Sequence, residues 1–272
     1  GRRDHGTAGL RAEAALIEAA RAAGVPAPAV RHVLQPEEGL GEGFVMVRVE
    51  GETLGRRIVR DPALAAARNV LARQCGAAMA RIHRLPTRGL PPLRIACARA
   101  ELDFQAGLHR AHGTARPVFQ IALQWLRRHA PADVATPVLV HGDFRNGNLM
   151  VGAEGLRAVL DWELAHLGDP MEDLGWICVR SWRFGGGAAR PVGGFGTRAD
   201  LCAGYAEAGG RVDATRLHWW EVLGTLKWGI VCETMLQAWI DGSEPDLEKA
   251  AIGRRASEVE SDLLALLTEG EG

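Results

Sequence analysis

The stretch 141-HGDFRNGNLM-150 packs a His, an Asp, an Arg and two Asn around two Gly within eight residues, directly after the apolar run 138-VLV-140. A buried-looking strand that ends in so many polar groups points to a working loop rather than a simple turn. A second strand, starting near Leu149, leaves the loop, and the Gly152/Gly155 turn sends the chain back along 156-LRAVL-160 to Asp161. The two strands form a hairpin, so Asp161 is expected beside Asn148. An amide oxygen and a carboxylate are hard donors, suited to a Mg²⁺ that keeps several waters and shares phosphate oxygens. Asp143 is left over, placed to orient a hydroxyl and accept its proton. A hydrolytic Zn or Fe site from His141, Asp143, Asp161 and His166 is the rival reading, weakened because no third His falls in register.

Outward from this block the pattern is mixed. The spacing predicts a helix over 9–23, stopped by Gly24 and Pro26, and strands at 30–34 and 43–51. Helices follow over 61–84, 99–112 and 117–129, the first opened by Asp61-Pro62. After Asp161 the chain turns from loop into helix by Trp176, with His166 and Asp169 as turn residues. Further helices are expected over 197–209, 213–240 and 245–268, and the Gly-rich patch 185-GGGAARPVGGFG-196 reads as a mobile loop. His83 reads as a packed helix-end residue, and the tryptophans, 219-WW-220 above all, as core.

The totals narrow the function classes. The 272 residues carry a formal net charge of −1, so nothing suggests nucleic acid as partner. No apolar run approaches a membrane span and no signal peptide opens the chain, so no membrane partner is expected. The five cysteines are dispersed and odd in number, which argues against a disulfide framework and fits a cytoplasmic location.

The loop has the Asp-to-Asn step of the kinase catalytic loop, followed by a metal-binding Asp. With 44-FVMVRVEG-51, 75-CGAAMARIHRLP-86 and 159-VLDWELAHLGDPMEDLGW-176, the chain resembles the aminoglycoside phosphotransferase/choline kinase-like group. Within it, the chain is most similar to the kinase-like domains fused to some acyl-CoA dehydrogenases. The resemblance implies an α+β, protein-kinase-like two-lobe fold: an incomplete N-lobe over 1–47 and a mostly helical C-lobe over 48–272, with a small β insert carrying the catalytic loop. It implies ATP and Mg²⁺ as cofactors, Asp143 as catalytic base, and Asn148 and Asp161 as metal ligands. His141 braces the loop and Asp173 ties the next helix to its backbone. Glu13 pairs with the phosphate-contacting cation, for which Arg2, or else Arg3, is the candidate, and the backbone at Val47 and Val49 meets adenine. The Gly-rich turn that the family places before the first helix is not in this sequence, so the chain is expected to be N-terminally truncated.

Arg145 lies two residues after Asp143, where protein kinases place a Lys near the γ-phosphate, and is expected to be catalytic. Arg180, Arg183, Lys227 and Trp228 are candidate acceptor residues. Set against the single acid Glu233, with Asp241, Glu244 and Asp246 nearby in sequence, they favour an anionic acceptor. The expected activity is O-phosphotransfer to a small hydroxylated molecule such as a hydroxy acid or hydroxyacyl-CoA. Alternatives are an aminoglycoside acceptor, or a nucleotide-binding scaffold with weak turnover.

Overall fold

The computed structural model describes residues 7–269. The chain forms two compact units. One takes residues up to Ala96 together with Val134–Asp213; the other takes Cys97–Asp133 and residues from Ala214 onward. These units do not divide at the 47/48 boundary read from the sequence.

In the first unit, α1 (Leu10–Ala22) buries Ala14, Leu16, Ile17 and Ala20, the three- and four-residue spacing that drives an amphipathic helix onto a core. β1 (Val30–Val33) pairs antiparallel with β2 (Phe44–Met46). The second strand is shorter than the expected 43–51. Its ladder ends at Met46, with one further bond from Val47 N–H to Ala29 O, and the chain beyond it is mostly exposed. α2 (Gly55–Arg60) was not visible in the sequence; six residues are too few to show a period. Asp61 caps a 3-10 turn at Pro62–Leu64, which opens α3 (Ala65–His83).

Next comes the β core of this unit. β3 (Val138–Val140) pairs antiparallel with β6 (His166–Gly168), and β4 (Leu149–Gly152) with β5 (Gly155–Val159). β6 falls inside the segment expected to be turn. Its three residues include a His and a Gly, so only the pairing with β3 reveals it. α6 (Met171–Cys178), a 3-10 turn at Arg180–Arg183 and α7 (Arg198–Glu207) complete the unit.

α3 and α7 touch backbone to backbone. A Cβ on Gly76 would lie 2.1 Å from the Leu201 carbonyl oxygen, and one on Gly204 would lie 2.0 Å from that of Arg73. This approach lets His83, at the end of α3, reach Tyr205 on α7. The segment read as a mobile loop is half core: Val192 and Phe195 are fully buried, and Gly193 N–H donates to Ile177 O.

The second unit is helical: α4 (Ala98–His112), α5 (Pro117–Arg128), α8 (Ala214–Ile240), α9 (Leu247–Gly253) and α10 (Ala256–Glu269). Trp219 and Trp220 are core, and Trp219 donates its indole N–H to Leu126 O at 3.0 Å. The helix expected over 245–268 is broken at Arg254–Arg255. Gly253 packs so closely on α8 that a Cβ there would lie 2.6 Å from Leu236 Cβ. Among the described residues no helix is long and apolar enough to cross a membrane.

Candidate active site

The polar loop hangs between β3 and β4 and is held from below. Asp173, on α6 and fully buried, accepts hydrogen bonds from His141 N–H (2.9 Å, Oδ2) and Gly142 N–H (3.0 Å, Oδ1). His83 donates Nε2–H to Asp173 Oδ2 at 3.0 Å, and its Nδ1 pairs with the Tyr205 hydroxyl at 2.9 Å. Burial alone would push the Asp173 carboxyl up. The His83 bond and charge, with the backbone donors, outweigh it and hold Asp173 below the usual carboxylate range. Burial, with Asp173 close by, raises the Tyr205 phenol and keeps it protonated.

Gly142 has φ +79°, and a Cβ there would sit 2.4 Å from the Leu164 carbonyl oxygen. Only glycine lets the loop leave β3 so close to the 161–165 segment. His141 is walled by Trp162 and Phe144. Its Nε2–H donates to Leu160 O (3.1 Å) while Nδ1 accepts from Asp143 N–H (3.2 Å), which fixes one neutral tautomer. Burial is the main force depressing its pKa. A ring with both nitrogens engaged is a brace, not a metal ligand. Asn146 adds another tie, donating Nδ2–H to Gly193 O at 2.9 Å.

Asp143 stands at the mouth of this scaffold. Asn148 Nδ2 donates to its Oδ2 at 2.6 Å, and Arg145 Nε donates to both oxygens, at 2.9 and 3.1 Å. The indole N–H of Trp176 donates to Oδ1 at 2.7 Å. The Arg145 guanidinium also lies over the ring of Trp182, 4.8 Å from its centroid, so it fills the gap between a carboxylate and an aromatic face. Trp176 and Trp182 pack edge to face.

The hairpin delivers Asp161 as expected. Leu149 pairs with Val159, and Leu160 N–H donates to Asn148 O at 2.9 Å. Asp161 is exposed, sits at φ +65°, and has no hydrogen bond from the described residues. Asn148 spends its N–H on Asp143, so its Oδ1 is the atom left to bind. An amide oxygen and an unengaged carboxylate on adjacent strand ends are a donor set that fits Mg²⁺. Among the described residues no three His, Cys, Asp or Glu side chains converge as a metal-binding group. The rival Zn or Fe reading fails further at His166, which is buried in β6. Nδ1 bonds Leu164 O and Nε2 meets Glu172 at 3.1 Å. Burial opposes charge on His166, but Glu172 outweighs it and raises the pKa. Asp169 is the turn residue expected, accepting from Met171 N–H.

The remaining expected residues fall as follows. Glu13 is buried on α1, and Arg2 and Arg3 lie outside the described residues. Val47 N–H donates to Ala29 O and is therefore already engaged. Arg180 and Arg183 belong to the first unit, where Arg183 donates to Cys178 O; Lys227 and Trp228 lie on α8 of the second. The acids weighed against them are structural. Glu233, 2% exposed, accepts from His109, Thr114 and Arg116. Asp241 holds a turn, Glu244 pairs with Lys249, and Asp246 caps α9.

A loop with an Asp-to-Asn step, a brace from the following helix and an acid on the next hairpin define the kinase-like phosphotransferase class. Residues 2–220 match the phosphotransferase enzyme family, and the chain belongs to that family. A mouse acyl-CoA dehydrogenase family member 10 is 46% identical over 65 residues, which is 23% of this chain and 6% of that protein. The chain thus aligns with a small part of the curated relatives' length. Among solved structures, a candidate aminoglycoside phosphotransferase from Ralstonia eutropha superposes with TM-score 0.78 at 20% identity, over 96% of this chain and 83% of that one. A choline/ethanolamine kinase family protein from Mesorhizobium loti gives TM-score 0.64 at 20% identity, over 95% and 78%. A thermostable aminoglycoside phosphotransferase mutant, APH(4)-Ia, solved with AMP-PNP and hygromycin B, gives 0.59 at 18% identity, over 96% and 84%.

Proposed function

We propose that this protein transfers the γ-phosphoryl group of ATP to a hydroxyl of a small molecule, with Asp143 as the base. The observation that carries this reading is the Asp143 carboxylate, clamped in place beside an amide oxygen and an unengaged acid on the neighbouring hairpin. Asp143 accepts the acceptor's hydroxyl proton as its oxygen forms a bond to the γ-phosphorus, the bond from that phosphorus to the bridging oxygen breaks, and ADP leaves. Asn148 Oδ1 and Asp161 would hold Mg²⁺, which would supply charge neutralisation at the phosphates. Arg145 turns from Asp143 toward the transferring group. The backbone at Val47 and Val49 receives adenine, and Glu13 supports the cation of the small lobe. The AMP-PNP complex of the APH(4)-Ia relative supports the choice of nucleotide.

The acceptor class is read from charge. Ammonium-rich acceptors need carboxylates, and Glu233, Asp241, Glu244 and Asp246 are already engaged in structural contacts. An uncharged or anionic acceptor fits better, and Arg180 and Arg183 of the first unit are its proposed contacts. The acyl-CoA dehydrogenase relatives make a hydroxyacyl-CoA or the free hydroxy acid the first class to assay.

The test is ADP release from Mg-ATP, first with water as acceptor and then with hydroxy acids, hydroxyacyl-CoAs and aminoglycosides. Release that Asp143→Ala and EDTA both abolish, and that a hydroxy acid or hydroxyacyl-CoA stimulates, supports the reading. Release no greater than that of Asp143→Ala overturns it.

A further inference from the structure

We propose that Trp176 is a positioning residue for the base, holding the Asp143 carboxylate in its reactive rotation through the indole N–H; this rests on the function proposed above. Indole has one donor and no acceptor, and a buried indole N–H needs a partner. Trp176 is 6% exposed and aims that donor at Asp143 Oδ1, 2.7 Å away. The torsion that turns a carboxylate about its last bond is soft, so Asp143 does not hold its own orientation. Two buried donors hold it instead: Asn148 on Oδ2 and Trp176 on Oδ1.

The third donor is different in kind. Arg145 is 27% exposed at its side chain and has to leave the carboxylate if it is to reach a phosphate. When it leaves, a carboxylate held by Asn148 alone would be free to follow it or to swing. Trp176 prevents this, because its indole is buried on α6 and packs edge to face against Trp182. The α6 helix that carries Asp173 therefore does two jobs one turn apart. Asp173 fixes the backbone of the loop, and Trp176 fixes the side chain of the base.

The test compares wild type, W176F, and a chain with benzothienylalanine at 176, which keeps the shape and deletes only the N–H. ADP release from Mg-ATP, nucleotide Kd and melting temperature are measured for each. A misplaced catalytic group costs about 10²-fold, so both variants should lose kcat by about that factor. Nucleotide Kd should stay within about twofold, and the benzothienyl chain should melt with wild type. The indole ¹H–¹⁵N resonance that disappears in W176F should move in D143N. A benzothienyl chain that turns over at the wild-type rate, or a Trp176 resonance indifferent to D143N, overturns the inference while the function stands. Wild type that releases no ADP defeats the function and this inference together.

Discussion

Asn148 donates its side-chain N–H to Asp143 at 2.6 Å, and the same residue also reaches the Asp143 carbonyl oxygen at 3.0 Å. One amide thus fixes both the backbone and the carboxylate of the base, and by doing so turns its own oxygen outward. Asn148→Ala loses the clamp and the oxygen together and should lower ADP release by about 10²-fold. Asn148→Asp restores an oxygen ligand but puts a like charge against Asp143, so it should be worse than the alanine variant. If the aspartate variant is the more active of the two, the clamp is not what Asn148 contributes.

Asp161 shows the opposite balance. It is exposed, has no hydrogen bond within the described residues, and sits at φ +65°, where a side chain costs about 1–2 kcal/mol and Asn is among the best tolerated. Nothing in the fold asks for its charge. Asp161→Asn should keep the wild-type melting temperature or raise it, while Mg²⁺-dependent ADP release falls by about 10²–10³-fold. A thermal melt and a turnover assay on the same sample decide it, and a large drop in melting temperature would assign Asp161 to folding.

The buried groups around the loop make stability depend on pH, each with its own sign. Asp173 has a folded pKa below its ordinary 3.8, so its contribution is complete above that value and is lost as pH falls through the lower folded value. His141 has a folded pKa below 6.5; the unfolded chain takes up the proton first, so stability falls as pH drops below about 6.5. His166, raised above 6.5, acts the other way and loses its contribution as pH rises through its folded value. In urea unfolding at a series of pH values, His141→Asn should lose less stability than wild type as pH falls below about 6.5. An identical slope in that variant would remove His141 from the account. Asp173→Asn replaces one of the two oxygens that accept from His141 N–H and Gly142 N–H with a donor, and should cost about 1–3 kcal/mol.

The site was legible in the sequence where chemistry is local. The loop, the Gly152/Gly155 turn and the return to Asp161 are contiguous, so spacing alone puts Asp161 beside Asn148. The tie from Asp173 came through the family resemblance, and α6 carries it out. The Trp176 bond was missed, although a signal was present. On a helix, residues three apart share a face, so a helix that turns Asp173 to the loop also turns Trp176 to it. The link from His83 to Asp173 and Tyr205 could not be read, because it needs the α3–α7 approach allowed by Gly76 and Gly204. The acids Glu233, Asp241, Glu244 and Asp246 were weighed by charge alone. Their carboxylates go instead to a buried network, a turn, an ion pair and a cap.

Arg145 is held by two attractions that a substitution can separate. Its Nε reaches both oxygens of Asp143, and its guanidinium lies over the Trp182 ring. Lysine keeps the charge but loses the fork and most of the stacking, so Arg145→Lys should retain part of the activity. Arg145→Ala should lower kcat at least about tenfold and leave nucleotide Kd within about threefold. It also opens a gap walled by a carboxylate and an aromatic face, a shape suited to a small planar cation. Millimolar guanidinium should therefore restore part of the lost turnover in Arg145→Ala and none in Asp143→Ala, and ammonium should restore less. An alanine variant with unchanged kcat would remove Arg145 from the reaction. Loss of kcat that guanidinium and ammonium relieve equally would mean that charge matters at this position and the planar contact with Trp182 does not.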